Sequence, residues 1–156
     1  MSPSISLSVI VRIAVHSAPS PETSASRPEI VTTGIRISSF DKKETKTDRP
    51  WGSYEILCKG PGYQTKRLIV KPNSRLSLQT HKHRDEEWIV ARGTARVTVG
   101  EYILEIGRGE SASVPRTIKH RIENISEIDP LEIIEVQIGD YIDEEDIERI
   151  EDDYGR

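Results

Sequence analysis

Between Trp51 and residue 140 the chain breaks into short segments of strand length. They are 53–58, 63–71, 75–82, 86–92, 94–99, 101–106, 111–115, 118–124 and 131–138. Gly60-Pro61-Gly62, Pro72-Asn73, Gly93, Gly100, Gly107-Arg108-Gly109 and Asp129-Pro130 punctuate them. Many short segments with this punctuation predict an all-β antiparallel sandwich or barrel. Helical spacing appears only in the tail, where Ile147, Ile150 and Tyr154 fall at i, i+3 and i+7 behind an acidic opening at 143–146. That pattern predicts a short C-terminal helix packed on the barrel.

A length of 156 residues suits one domain. The formal charge of -4 argues against a nucleic-acid partner. No run reaches the roughly 18 apolar residues of a membrane helix. The lone Cys58 excludes an internal disulfide framework and a cysteine-rich zinc module, and is expected to be a small buried residue. A reducing, cytoplasmic setting is the expectation.

Residues 1–48 read as a variable extension and 49–156 as the domain. Apolar residues alternate from Ile5 to Val15, the period of a half-buried strand. A targeting segment and an upstream stretch outside the fold are the rival readings; Arg12 interrupts the apolar run that targeting requires. Residues 17–28 read as a Ser/Pro linker, and 35–39 as one further short strand.

The chemistry concentrates in residues 73–88. Strand alternation places Ser77, Gln79, His81 and His83 on one face, against Leu76, Leu78 and Thr80. Hydroxyl, amide and imidazole groups make a poor core and a good wet, concave lining. Further on, His120 shares a face with Ile118 and Ile122. A buried imidazole beside a second cluster of Gln, His and Glu suits a divalent metal. Trp51 and Trp88 read as core anchors, and the acidic run 143–153 as a solvated helix face.

The order Asn73-x5-Gln79-x-His81-x4-Glu86-x6-Gly93 resembles the first cupin motif, with Gln79 in place of its first metal-binding histidine. Gly109-x5-Pro115-x-Thr117-x2-His120-x3-Asn124 resembles the second, with Thr117 in place of a glycine. Arg49-Pro-Trp-Gly-Ser-Tyr, the 76–84 stretch, Ile134-Glu-Val-Gln and the closing Glu151-Asp-Asp-Tyr-Gly-Arg156 resemble the type II phosphomannose isomerase cupin. In that family this module often follows a mannose-1-phosphate guanylyltransferase domain, whose Gly-rich loop this sequence lacks; that activity is not carried over. Lys82 and Glu87 depart from the family's histidines and are expected to alter the surface.

The resemblance implies a double-stranded β-helix, or jelly-roll, and a divalent ion held by Gln79, His81, Glu86 and His120. The motif's flanking spacings are met with Gln79 in first position and missed by two residues with His81 there. Zinc is the default for such a site; manganese, cobalt, nickel and iron also fit. The implied reaction interconverts mannose 6-phosphate and fructose 6-phosphate through an enediolate. Lys66 and His83 are preferred over Glu87 for proton transfer, and Arg49, Arg84 and Arg156 are the expected phosphate ligands. The expected partners are a small sugar phosphate and a second copy of the chain, as a homodimer, with no nucleic acid or membrane. A different cupin enzyme, such as an iron-dependent dioxygenase, and a non-catalytic sugar-binding module are the competing readings.

Overall fold

The computed structural model describes residues 46–156, so the expectations for 5–15, 17–28 and 35–39 lie outside the described residues. Twelve strands follow in chain order: β1 (Lys46–Arg49), β2 (Gly52–Gly60), β3 (Tyr63–Val70), β4 (Ser74–Arg75), β5 (Leu78–His81), β6 (Arg84–Arg92), β7 (Thr94–Val99), β8 (Tyr102–Gly107), β9 (Ser111–Val114), β10 (His120–Asn124), β11 (Leu131–Gly139) and β12 (Ile147–Glu151). They form two antiparallel sheets. One has the order β1-β2-β3-β11-β6-β9, the other β12-β5-β10-β7-β8, with β4 also on β10. The all-β expectation holds. The first sheet already includes Lys46, upstream of the boundary expected at 49. No helix among the described residues is long and apolar enough to cross a membrane.

The inward face of the first sheet changes character along its strands. On β3 the inward residues run Gln64, Lys66, Leu68, Val70; on β11 they run Leu131, Ile133, Glu135, Gln137; on β6 they run Arg84, Glu86, Trp88, Val90. Pairing aligns like with like: Leu68 lies opposite Ile133, Lys66 opposite Glu135, and Gln64 opposite Gln137, which also faces Glu86. One end of the interior is therefore apolar. There Val70, Trp88, Val90, Val97, Leu131 and Ile133 are almost fully buried. Burying each aliphatic side chain of this size contributes about 1.5–3 kcal/mol. The other end is polar and forms the site.

Two turns carry positive φ at non-glycine residues, Asn73 (φ 51) and Thr117 (φ 68). Asparagine tolerates this region, whereas a β-branched threonine is strained in it. Thr117 thus keeps the left-handed turn that the motif's glycine would make. Its N–H donates to His81 O at 2.6 Å, which ties the turn to β5.

The predicted C-terminal helix is absent. A three-residue 3-10 turn, Glu144–Asp146, capped by the Asp143 side chain, leads into β12, which pairs with β5. An isolated helix of this length is marginal in water, whereas β12 satisfies the backbone groups of an otherwise open edge. From Ile147 to Ile150 burial follows period two, with Ile150 exposed, until the register shifts before Glu151.

Candidate metal centre

His81 closes β5, Glu86 lies on β6 and His120 opens β10, so three strands from both sheets converge on one point. All three are buried, with one ligand atom from each lying within 4.8 Å of the others. His81 Nε2 is 3.1 Å from Glu86 Oε1 and 3.1 Å from His120 Nε2. His120 Nε2 is 3.7 Å from Glu86 Oε2.

The opposite ring nitrogens decide what these atoms offer. His120 Nδ1 contacts Ile118 O at 2.8 Å, and His81 Nδ1 contacts Asp146 O at 3.4 Å. A carbonyl can only accept, so each Nδ1 carries the hydrogen and each Nε2 keeps its lone pair. Two lone pairs and a carboxylate then face one point, with the Arg84 guanidinium on one side of them at 3.2 Å from His81 Nε2 and 3.1 Å from Glu86 Oε1, a donor set that favours a further cation. Imidazoles oriented by carbonyls in this way are the usual ligands of borderline divalent ions. The residues present therefore fit a metal. Gln79 stands beside them, with Nε2 3.4 Å from His81 Nε2 and Oε1 accepting from Ser77 Oγ at 2.9 Å. The Ser77 hydroxyl can accept as well as donate, so the amide can turn its oxygen to the cluster without losing that bond.

Electrostatics match this role. Burial alone would raise the Glu86 carboxyl, but in the metal-free site a hydrogen bond from a protonated His81 and the positive charge of His120, His81 and Arg84 outweigh it and hold Glu86 well below the usual carboxylate range; a bound cation would take the place of those imidazole protons. Glu86 also accepts from Arg84 Nε (3.1 Å), Trp88 Nε1 (3.2 Å) and Gln137 Nε2 (3.0 Å). Burial depresses His120 below an ordinary imidazole despite the pull of Glu86, which favours the neutral ring a metal requires.

Beside the cluster, with Gln79 and Glu86 in its wall, lies a cavity of about 50 Å³ that opens to solvent. Arg49, Lys66, Arg84, Arg149 and Arg156 line it against Glu86, Glu135 and Glu144. Lys66 points inward as expected, its Nζ 4.7 Å over the Tyr54 ring and 3.7 Å from Glu144 Oε1. Arg49 Nη2 reaches Tyr54 Oη and Glu144 Oε2, each at 3.4 Å. Arg156 also lines the cavity, its guanidinium held by Asp152 at 2.8 Å.

Several expectations need correction. His83 is exposed, packs edge-on against the Tyr141 ring and lines a different surface groove. It does not reach the cavity. The cause is a two-residue bend, Lys82-His83, between β5 and β6, which breaks the alternation and turns Arg84 inward instead. Arg84 is buried, and its donors serve Glu86, His81 Nε2 (3.2 Å) and Asp143 O (2.8 Å) instead of standing free for a phosphate. Cys58 is exposed, because β2 shifts register beside it. Trp51 and Trp88 are buried, while Lys82 and Glu87 are on the surface.

Sequence reasoning missed Arg149 and Glu135. Burial and repulsion from Glu86 push the Glu135 carboxyl up to about 8, against the opposing pull of Lys66 and Arg84. Gln137 Nε2 donates to Glu135 Oε2 at 2.9 Å as well as to Glu86, while Gln137 Oε1 accepts from Gln64 Nε2 at 3.1 Å. The signal was present: period two places Glu135 and Gln137 on the face of Leu131 and Ile133, where an unpaired carboxylate is costly.

Residues 38–152 match the family described as Mannose-6-phosphate isomerase C-terminal. The chain is 50% identical over 111 residues to the xanthan biosynthesis protein XanB of Xanthomonas campestris pv. campestris, covering 71% of this chain and 24% of that protein. It is 51% identical over 108 residues to the alginate biosynthesis protein AlgA of Pseudomonas aeruginosa, covering 69% and 22%. It is 47% identical over 108 residues to the mannose-1-phosphate guanylyltransferase ManC of Salmonella typhimurium, again covering 69% and 22%. The chain thus spans about a quarter of the length of these relatives. Among solved structures, oxalate decarboxylase from Bacillus subtilis superposes with a TM-score of 0.62 at 19% identity, covering 69% of this chain and 30% of that one. KdgF from Halomonas sp. gives 0.56 at 15%, covering 63% and 91%. At these identities the likeness concerns the fold alone, and that fold is the cupin barrel.

Proposed function

The chain belongs to the mannose-6-phosphate isomerase C-terminal family, and from that premise we propose that it is a metal-dependent isomerase interconverting mannose 6-phosphate and fructose 6-phosphate. The observation that carries the reading is the convergence of His81 Nε2, His120 Nε2 and a Glu86 carboxylate oxygen beside a cavity rich in cationic side chains. His81, Glu86 and His120 would hold a divalent ion, with Gln79 beside them; zinc suits this set. When bound, such an ion supplies Lewis acidity toward the sugar's carbonyl oxygen.

The remaining work falls to the chain's own side chains. Arg49, Arg149 and Arg156 face the cavity and bind the phosphate, for which guanidinium geometry is suited. Lys66 Nζ takes the proton from C2 and returns it at C1. Glu135, opposite it in register, stands beside the transfer. Arg84 and Gln137 hold the Glu86 carboxylate in place. Trp51 and Leu68 close the apolar wall and limit water.

The test is conversion of mannose 6-phosphate by the purified chain, followed before chelation, after chelation and after zinc is restored. Turnover lost to chelator and regained with zinc supports the proposal. No turnover by protein with bound zinc rejects it.

A further inference from the structure

We infer that Asp146 positions the 81–84 segment, aiming His81 at the metal centre and bringing Arg84, in place of His83, to the cavity. Its consequence for metal binding rests on the reading proposed above; the positioning itself rests on geometry. Asp146 is the buried residue of the 3-10 turn, and its side chain is 2% exposed. Its carboxylate accepts the Lys82 N–H on Oδ1 at 3.0 Å and the His83 N–H on Oδ2 at 3.2 Å. Those are the two residues of the bend between β5 and β6. Oδ2 also lies 3.5 Å from Arg84 Nη1, which donates to Asp143 O one turn away. The Asp146 carbonyl accepts from His81 Nδ1 at 3.4 Å. Four consecutive residues are thus tied to one side chain and its own carbonyl.

The bend takes two successive backbone N–H groups out of the sheet ladder. Leaving one such donor without a partner costs about 1–3 kcal/mol. A carboxylate, with two charged acceptors a short distance apart, matches two successive N–H groups and makes each bond stronger than a neutral one. Without that acceptor the alternation along β5 would continue, and His83 would follow His81 onto the inner face. The same residue's carbonyl keeps the His81 hydrogen on Nδ1, so Nε2 presents a lone pair, which Arg84 Nη2 now faces at 3.2 Å and an ion could take. Asp146 therefore acts through His81 and Arg84, as a positioning residue.

The experiment compares the full chain with Asp146→Ala, Asp146→Asn and Asp153→Ala. The last removes the Arg75 contact (2.7 and 2.9 Å) on the same C-terminal stretch. Three quantities are read: the ring nitrogen-15 shifts of His81 without metal, cobalt(II) affinity from its visible absorbance, and stability in urea. The wild type should show His81 with its hydrogen on Nδ1 only. Asp146→Ala keeps the carbonyl but releases the 82–83 bend, which shifts His81 off its long 3.4 Å contact with that carbonyl; it should populate the Nε2–H tautomer and bind cobalt about 10–100-fold more weakly, as loss of an orienting partner typically does. Asp146→Asn, which keeps one acceptor oxygen, should change both in the same direction by less. Asp153→Ala should alter stability only. A folded Asp146→Ala that keeps one tautomer and a cobalt affinity within about twofold of wild type overturns the inference. So does an Asp153→Ala that reproduces both losses. Should Asp146→Ala not fold, Asp146→Asn is judged by the same criteria. If the wild type itself binds no cobalt, the metal reading fails, and the His81 tautomer alone decides this inference.

Discussion

Replacing Glu135 with glutamine should remove a loss of stability that the metal-free protein suffers as pH rises. The Glu135 carboxyl is pushed up to about 8 from an ordinary 4.5, first by burial and then by Glu86. A group raised in the folded state binds its proton more tightly there than in the unfolded chain. Its contribution is therefore fully present below about 4.5, and is lost as pH climbs through about 8. At about 1.4 kcal/mol per pH unit, that gap sets a ceiling of about 5 kcal/mol. Relaxation around a residue that lines a cavity reduces the figure to roughly 2–4 kcal/mol. Two other groups titrate in the opposite sense. Glu86, held low, contributes stability above its ordinary 4.5 that is lost as pH falls. His120, depressed by burial, contributes stability above 6.5 that is likewise lost on acidification. Glu86 stays ionised in both proteins between about pH 5 and about pH 9, and Glu135 is not among the groups that shift His120, so the difference between wild type and Glu135→Gln reports the Glu135 charge together with its repulsion from Glu86. Glutamine is of similar size, cannot ionise, and can still accept from Gln137 Nε2. Urea unfolding with chelator at about pH 5 and about pH 9 should find the variant close to wild type at the lower pH and more stable by about 2–4 kcal/mol at the higher. Parallel pH curves for the two proteins would refute the reasoning.

Three further outcomes follow from the same geometry. His120→Ala removes one of the facing lone pairs, so zinc retained after dialysis, measured by elemental analysis, should drop to background. The stabilisation zinc gives the wild type, about 2.7 kcal/mol at a hundred times its dissociation constant, should vanish with it. Thr117→Gly relieves a β-branched residue at φ 68 and should raise stability by about 0.5–1 kcal/mol in urea, after the added freedom of the unfolded chain is subtracted. Equal or lower stability would show that the turn is not strained. Lys66→Met should lower kcat at least about a hundredfold while leaving zinc stoichiometry intact. An unchanged kcat would remove Lys66 from the proton-transfer role.

The barrel was legible because strands with one buried face write their pairing into the sequence. Leu131, Ile133, Glu135 and Gln137 alternate in the sequence as they do in the sheet. Motif spacing also placed Gln79, His81, Glu86 and His120 near one another, and the structure brings them together. The failures share a cause. The inward turn of Arg84 depends on an acceptor more than sixty residues away in the chain, which no local pattern around His81 and His83 contains. The tail reads as helical by its own spacing, and only the open edge of β5 makes it a strand. Glu135 was visible as a carboxylate on an apolar face, but its raised pKa comes from the depth of its burial and then from Glu86 across the β6–β11 pairing, neither of which the local pattern shows.

The division of the inner layer into a greasy end and a charged end, carried by the same β3, β6 and β11, has a mechanical consequence. A slip of any one of these strands by two residues would keep every side chain on its proper face, yet drive Lys66, Glu86 or Glu135 among Val70, Val90 and Leu131. The hydrophobic half therefore works as a ratchet pawl for the other. It fixes the positions of the candidate site residues along the strand axis, a degree of freedom that alternation alone leaves loose.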